Sequence, residues 1–274
     1  MKSGSGSCRK LARDLRVALG AAATVVVITA AACGSGANAL SSQNPSATPL
    51  NESSSTVTAA KVAGIAAAHA YLSASDTAIL TVNGAEVSAR DLAFQLQETR
   101  DDLAGLEAEI AEATSSASLE RLQSRFDLIQ AAGIENVALG SLITYEGWYA
   151  EATRLGIAPS DSDIAAYVDH FRTTMNKVDL GFEQGVADAL GDVYWTDFLP
   201  RQARYALVKK SLTEEETKGI TDLNEAGRAW AELQIDLVDN ASVKILDPAA
   251  LGSATVEGAK SYVDQYQQLV AVGG

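Results

Sequence analysis

Few side chains in this sequence have the type and spacing that chemistry requires. There are two cysteines, Cys8 and Cys33, and two histidines, His69 and His170. The histidines lie far apart and have no neighbours at ligand spacing, so metal binding is not expected. His170 sits in Tyr167-Val168-Asp169-His170-Phe171, an amphipathic helical pattern in which a lone histidine reads as surface. Asp161 and Asp163 alternate as the first ligands of a calcium loop do. The third alternating oxygen ligand, the glycine and the closing glutamate of such a loop are missing, and helix capping explains both residues. The sequence carries no Gly-x-x-x-x-Gly-Lys phosphate loop, no dinucleotide fingerprint and no nucleophile elbow. No metal, cofactor or catalytic residue is therefore expected. What remains is thiol chemistry at Cys33 and contact chemistry from aromatic side chains.

The aromatic set that bears on contact runs through Tyr145, Trp148, Tyr149, Tyr167, Phe171, Trp195, Phe198, Tyr205 and Trp230. They can supply the core of a helical bundle, or some can line a cradle for extended apolar segments of another polypeptide. Tyr145, Trp148, Tyr149, Phe171, Trp195 and Phe198 are the candidates for that second role. Trp148 and Tyr149 are adjacent and cannot point the same way from a helix, so one of them is expected at a contact surface.

Cys33 gains meaning from what precedes it. Lys2, Arg9, Lys10, Arg13 and Arg16 form a basic lead-in, and an apolar run follows from Val17 to Ala32. The run is short for a bilayer span, which takes ~20 residues, and it ends in Ala30-Ala31-Ala32, small enough for signal peptidase access. With Cys33-Gly34-Ser35 next, residues 1–32 resemble a bacterial lipoprotein signal, although Ala30 stands where such signals more often have leucine. The resemblance implies lipid attachment at Cys33 and a place on the extracytoplasmic face of the cell membrane. An ordinary signal peptide cut near Ala32 and an uncleaved anchor helix are the alternatives. Cys8 leaves with the signal in the lipoprotein case, so no disulfide and no free thiolate would remain. Residues 33–75 follow as a flexible Ser/Thr/Ala-rich linker, with Ala59–Ser75 either a short helix or more linker.

Positioning the aromatic residues falls to helices. Leu142, Tyr145, Tyr149, Ala152 and Leu155 recur at three- and four-residue steps, Gly156 offers a left-handed stop, and Ser160 with Asp163 caps a second helix. Ile164, Tyr167, Val168, Phe171 and Met175 carry that helix's stripe. Upstream, Ala78–Val82 is β-prone, Asn83-Gly84 marks a hairpin turn, and Ser88 with Asp91 begins a helix striped by Leu92, Leu96, Leu103, Leu106 and Ile110. Its opposite face, with Glu98, Arg100, Asp101, Asp102 and Glu109, reads as solvated. Leu119, Leu122, Phe126 and Ile129 predict a further helix, Phe182–Leu190 a short one, and Trp195–Leu212 another. An irregular acidic joint spans Glu214–Thr221. A helix striped by Leu223, Ala226, Trp230, Leu233 and Leu237 then runs into the strand Ser242–Leu246, and Ala254–Val270 forms a terminal helix.

Three of these strings together resemble the helical core of the SurA/PrsA-type extracytoplasmic foldases. The first is Leu142-Ile143 followed by Ala152, Leu155-Gly156-Ile157, Ser160-Asp161 and Ile164. The second is Val82-Asn83-Gly84, Val87-Ser88 and Asp91-Leu92. The third is Asn240-Ala241, Val243 and Ile245-Leu246-Asp247-Pro248. The resemblance covers about Ala78 to Pro248. It implies a mainly α protein: a helical chaperone domain at residues 76–250, closed by a small sheet of an N-terminal hairpin and a C-terminal strand, with residues 251–274 a helical extension. In that family a parvulin prolyl-isomerase domain commonly separates the last two core helices. Here the joint near Leu212–Thr221 is far too short for a domain of the order of a hundred residues. The expected activity is non-enzymatic binding of unfolded or secreted polypeptides. A structural lipoprotein of the cell envelope and a degenerate prolyl isomerase are the alternatives.

The bulk numbers agree with a polypeptide partner and exclude nucleic acid. A net charge of −14 with no basic cluster beyond the N-terminus cannot neutralise phosphates.

Overall fold

A computed structural model describes residues 52–175 and 181–273. The lipoprotein-like signal and Cys33 lie outside the described residues. The fold is mainly α, with one small antiparallel sheet. Helix α1 spans Glu52–Ser73, strands β1 and β2 are Ala78–Val82 and Ala85–Ser88, and helices α2, α3 and α4 are Ala89–Glu112, Ser116–Ala132 and Ile134–Leu155. Then come α5 (Asp161–Met175), α6 (Phe182–Leu190), a wide π-helical turn at Tyr194–Phe198, α7 (Leu199–Glu216) and α8 (Leu223–Asp239). Strand β3 (Val243–Ile245), a short 3-10 turn and α9 (Val256–Gly273) complete the chain.

The sheet joins early and late chain. Asn83 and Gly84 both take positive φ (51° and 86°), the mirror-image turn whose twist suits a two-residue hairpin. Strand β1 pairs with β2 on one side and with β3 on the other, Leu80 opposite Ile245 and Val82 opposite Val243. Asn83 locks the second pairing: its N–H donates to Ser242 O at 2.8 Å and its Oδ1 accepts from Ser242 N at 2.9 Å. Ile79, Leu80, Val82 and Val87 are buried in one core with the N-terminal half of α4 and with Tyr262, Val263 and Tyr266 of α9. Helix α9 is thus built into the core rather than appended to it, and no boundary separates it from residues 76–250.

The expected punctuation is present. Ser88 and Asp91 form a reciprocal capping box at α2, and Ser160 and Asp163 do the same ahead of α5. Gly156 ends α4 at φ 72°, donating its N–H to Ala152 O and Thr153 O. Pro200 falls in the first turn of α7, where its missing N–H costs nothing.

Four expectations need correction. Helix α4 is buried all round from Val137 to Trp148 rather than along one stripe, because sheet, α2, α7, α8 and α9 surround it, while Leu155 at its end is 41% exposed. The face of α2 read as solvated carries Glu98 at 2% exposure, enclosed together with Gln95 and Thr99. Glu214–Glu216 continue α7 instead of forming an irregular joint. Within the linker assigned to residues 33–75, the short-helix alternative for Ala59–Ser75 holds, and the helix begins earlier, at Glu52, with Ala67, Ala68 and Tyr71 in a second core.

This last difference has a clear cause. Helix α1 packs by backbone approach against α6, not by a stripe of large side chains. A Cβ on Gly64 would stand 2.0 Å from the Phe182 carbonyl oxygen, and one on Gly185 would stand 2.1 Å from the Lys61 carbonyl oxygen. Two glycines facing each other's helix let the axes come unusually close, and the Lys61–Asp188 ion pair at 2.7 Å flanks the seam. Gly64→Ala should therefore force the helices apart and lower stability by about 1–3 kcal/mol, measured by urea denaturation. An unchanged midpoint would contradict the close packing.

Candidate functional site

The described residues contain an open cleft of about 820 Å³ where three parts of the fold meet. The segment leading into β1 contributes Asp76, strand β2 Glu86 and the start of α2 Asp91. Helix α4 contributes Glu146 and Tyr149, and α5 contributes Asp161, Ile164 and Asp169. The π-helical turn and α7 supply Trp195, Asp197, Arg201, Arg204 and Tyr205.

Arg201 and Arg204 are three residues apart on α7, so they share a face. Each ties α7 to another element. Arg201 pairs with Asp91 through Nη1 and with Asp197 through Nη2 at 3.3 Å. Asp91 does double duty, since its Oδ2 also accepts from the Ser88 hydroxyl at 2.7 Å in the α2 cap. Asp197 also accepts from the Tyr71 hydroxyl at 2.8 Å, which brings α1 into the same network. Arg204 donates to Glu146 Oε1 at 3.1 Å and lies over the rings of Tyr149 (4.5 Å) and Tyr205 (5.0 Å). The Tyr205 hydroxyl donates to the same Glu146 oxygen. Glu146 is 3% exposed, and its second oxygen, Oε2, has no hydrogen-bonding partner among the described residues. Burial and the neighbouring Glu146 carboxylate push the Tyr205 hydroxyl far above its ordinary pKa, so it stays a donor.

The six aromatic candidates divide. Tyr145, Trp148, Phe171 and Phe198 are buried, at 6%, 4%, 2% and 4% exposure, which corrects their assignment to a contact surface. Tyr145 stacks on Tyr205 at 4.9 Å, and Trp148 leans on Trp230 at 5.7 Å. Phe198 meets Tyr71 edge-on at 5.5 Å, and Phe171 belongs to the same apolar cluster. These side chains hold α4, α7 and α8 together, and hold α1 against the π-helical turn. Only Tyr149 and Trp195 are half-exposed, and both line the cleft. Of the adjacent pair, Tyr149 is the one that reaches a surface. His69 and His170 are exposed, and no group of three or more metal-ligating side chains occurs among the described residues. Among them, too, no single helix is long and apolar enough to cross a membrane.

Sequence reasoning missed the arginine pair and Glu146. The i, i+3 spacing of Arg201 and Arg204 is visible, but their carboxylate partners Asp91 and Glu146 lie on other helices. Leaving Glu146 buried without its cation is costly. Arg204→Met should therefore lower stability by about 3 kcal/mol or more, and adding Glu146→Gln should recover most of the loss. Chemical denaturation of the single and double variants measures this. Equal losses in both would sink the pairing.

A second group of acids lies in and beside the core, Glu98 enclosed and Asp102 and Glu183 half-buried. Burial, then the Asp102 and Glu183 charges, push the Glu98 carboxyl well above its ordinary value, and Gln95 Nε2 is its donor at 3.0 Å. Burial raises Asp102 to about 6 and Glu183 to about 7, the latter against a hydrogen bond from Tyr194. Groups raised on folding favour the folded state below their unfolded values near 4, and that advantage is lost as pH climbs through 6 and 7. The melting temperature should accordingly fall between about pH 5 and pH 8. Glu98→Gln should raise it more at the upper end than at the lower. A pH-independent gain on calorimetry would exclude this account.

The fold and cleft define a mainly α protein in which a three-stranded sheet anchors a helical body with a charged, aromatic-flanked groove. Compared with family models, with curated proteins and with solved structures, the chain matches none.

Proposed function

We propose that this chain is a membrane-anchored, extracytoplasmic chaperone-like protein that binds unfolded or translocated polypeptides without catalysing prolyl isomerisation. The observation that carries the reading is the cleft: open, about 820 Å³, and lined by half-exposed Tyr149 and Trp195 among polar side chains. Such a surface suits weak, exchanging contact with an extended chain rather than deep enclosure of a small molecule. The resemblance of three sequence strings to SurA/PrsA-type foldases supports it, as does the pairing of β1 with β3 that the resemblance implies. Helices α7 and α8 are joined by a few residues, which leaves no room there for an isomerase domain. The membrane anchor rests on the lipoprotein-like signal and Cys33.

A second reading, a structural lipoprotein held to one fixed envelope partner, is favoured by the small aromatic surface left once four of the six candidates are buried. One saturable partner with slow release would select it.

The full chain should suppress aggregation of a chemically unfolded protein at stoichiometric ratios and leave the rate of a protease-coupled prolyl isomerisation assay unchanged. Absence of suppression would remove the chaperone reading, and a clear rate enhancement would remove the non-enzymatic one. A fragment starting at Ser75 is unsuitable for this test, since it lacks α1 and with it Ala67, Ala68 and Tyr71 of the second core.

A further inference from the structure

Resting on the polypeptide-binding reading, the geometry points to the chemistry of the segment that occupies the cleft: an extended polypeptide stretch bearing Lys or Arg beside an apolar residue.

Both arginines of the cleft already face carboxylates, although Arg204 Nε is buried without a hydrogen-bond partner among the described residues. Arg201 is held between Asp91 and Asp197, and Arg204 between Glu146 and two tyrosine rings. An anionic ligand would have to displace carboxylates from both. The acids are not equally committed. Glu86 of β2 and Asp161 of α5 both line the cleft, are exposed, and form no ion pair among the described residues. Asp76 and Asp169 reach their arginines, Arg90 and Arg172, only at 3.6 and 3.8 Å and remain largely exposed. Exposed pairs of that length contribute little.

An acidic rim alone would be no more than a solvated surface. The buried carboxylate of Glu146 makes the difference. It lines the cleft from α4, is 3% exposed, and keeps Oε2 without a hydrogen-bond donor among the described residues, although Oε1 is used by both Arg204 and Tyr205. A buried acceptor with a free lone pair at the cleft wall suits a donor brought by the ligand. Cationic side chains carry such donors and are also attracted to aromatic faces. Trp195 already holds one such cation, Arg172 at 4.8 Å, and Tyr149 holds Arg204. Acidic rim, unpaired buried acceptor and aromatic faces therefore converge on a cationic, amphipathic stretch of chain.

The test uses three fluorescent peptides of equal length that share their Tyr and Leu positions and differ only in carrying Lys, Gln or Glu between them. Binding to the full chain is followed by anisotropy at low and high salt. The Lys peptide should bind about tenfold tighter than the Gln peptide at low salt, the Glu peptide weakest, and the gap should narrow as salt rises. Glu86→Gln combined with Asp161→Asn, both exposed, should weaken the Lys peptide roughly fivefold to tenfold and leave the Gln peptide unchanged. Circular dichroism checks that the paired variant folds. Equal affinity for Lys and Gln peptides, or indifference to the paired substitution, overturns the cationic assignment while polypeptide binding stands. No binding of any peptide overturns the polypeptide reading and this inference together.

Discussion

Everything in this molecule hangs on a single five-residue strand that must satisfy two partners. Strand β1 gives one edge to its hairpin neighbour and the other to a strand contributed more than a hundred and fifty residues later, Asn83 and Ser242 being locked together by two hydrogen bonds. Closing so long a loop costs conformational entropy that grows only slowly with its length, so burial of Ile79, Leu80 and Val82 can offset it. Once the ends are joined, the intervening helices have a fixed floor. Helix α4 takes the position above it and is enclosed by its neighbours.

The polar interior follows from that enclosure. A helix buried on every side still carried Glu146, and the adjacent α2 carried Glu98; each is left only a few per cent exposed. The two were handled differently. Glu146 received a guanidinium and a phenol from α7, which fixes α7 against α4 and shapes the cleft wall. Glu98 received one amide from its own helix, and burial raises its carboxyl well above the ordinary value. Partnered charge thus fixes the geometry of the cleft, while unpartnered charge makes the core responsive to pH. Asp91 shows the economy of the arrangement: one oxygen caps α2 and the other anchors Arg201.

Helix α1 illustrates a different physics. Its alanines and Gly64 provide no large apolar stripe, yet Gly64 and Gly185 let it approach α6 at backbone distance, and Tyr71 carries it to Asp197 and Phe198. Composition alone makes such a segment look like tether, because its stabilising contacts come from a complementary surface on another helix. The arginine–carboxylate network at the cleft reaches α1 through that same tyrosine.

Read alone, the chain determined whatever depends on a few consecutive residues. The Asn83-Gly84 turn, the Ser88 and Ser160 caps, the Gly156 stop, the bounds Phe182–Leu190 and the mainly α character are all local. Each is set by φ preferences or by side-chain reach within four residues. The meeting of β1 and β3 came from a resemblance and not from periodicity. Tertiary structure alone decided which aromatic side chains face outward: the stripe pattern places Tyr149 on the apolar face, yet α8 sets Trp230 against Trp148 and Tyr149 is the half-exposed one. It also decided that Glu98 is interior, that Arg201 and Arg204 find acids on other elements, and that α1 belongs to the body. These are properties of distance between segments remote in sequence, and no spacing along the chain encodes them.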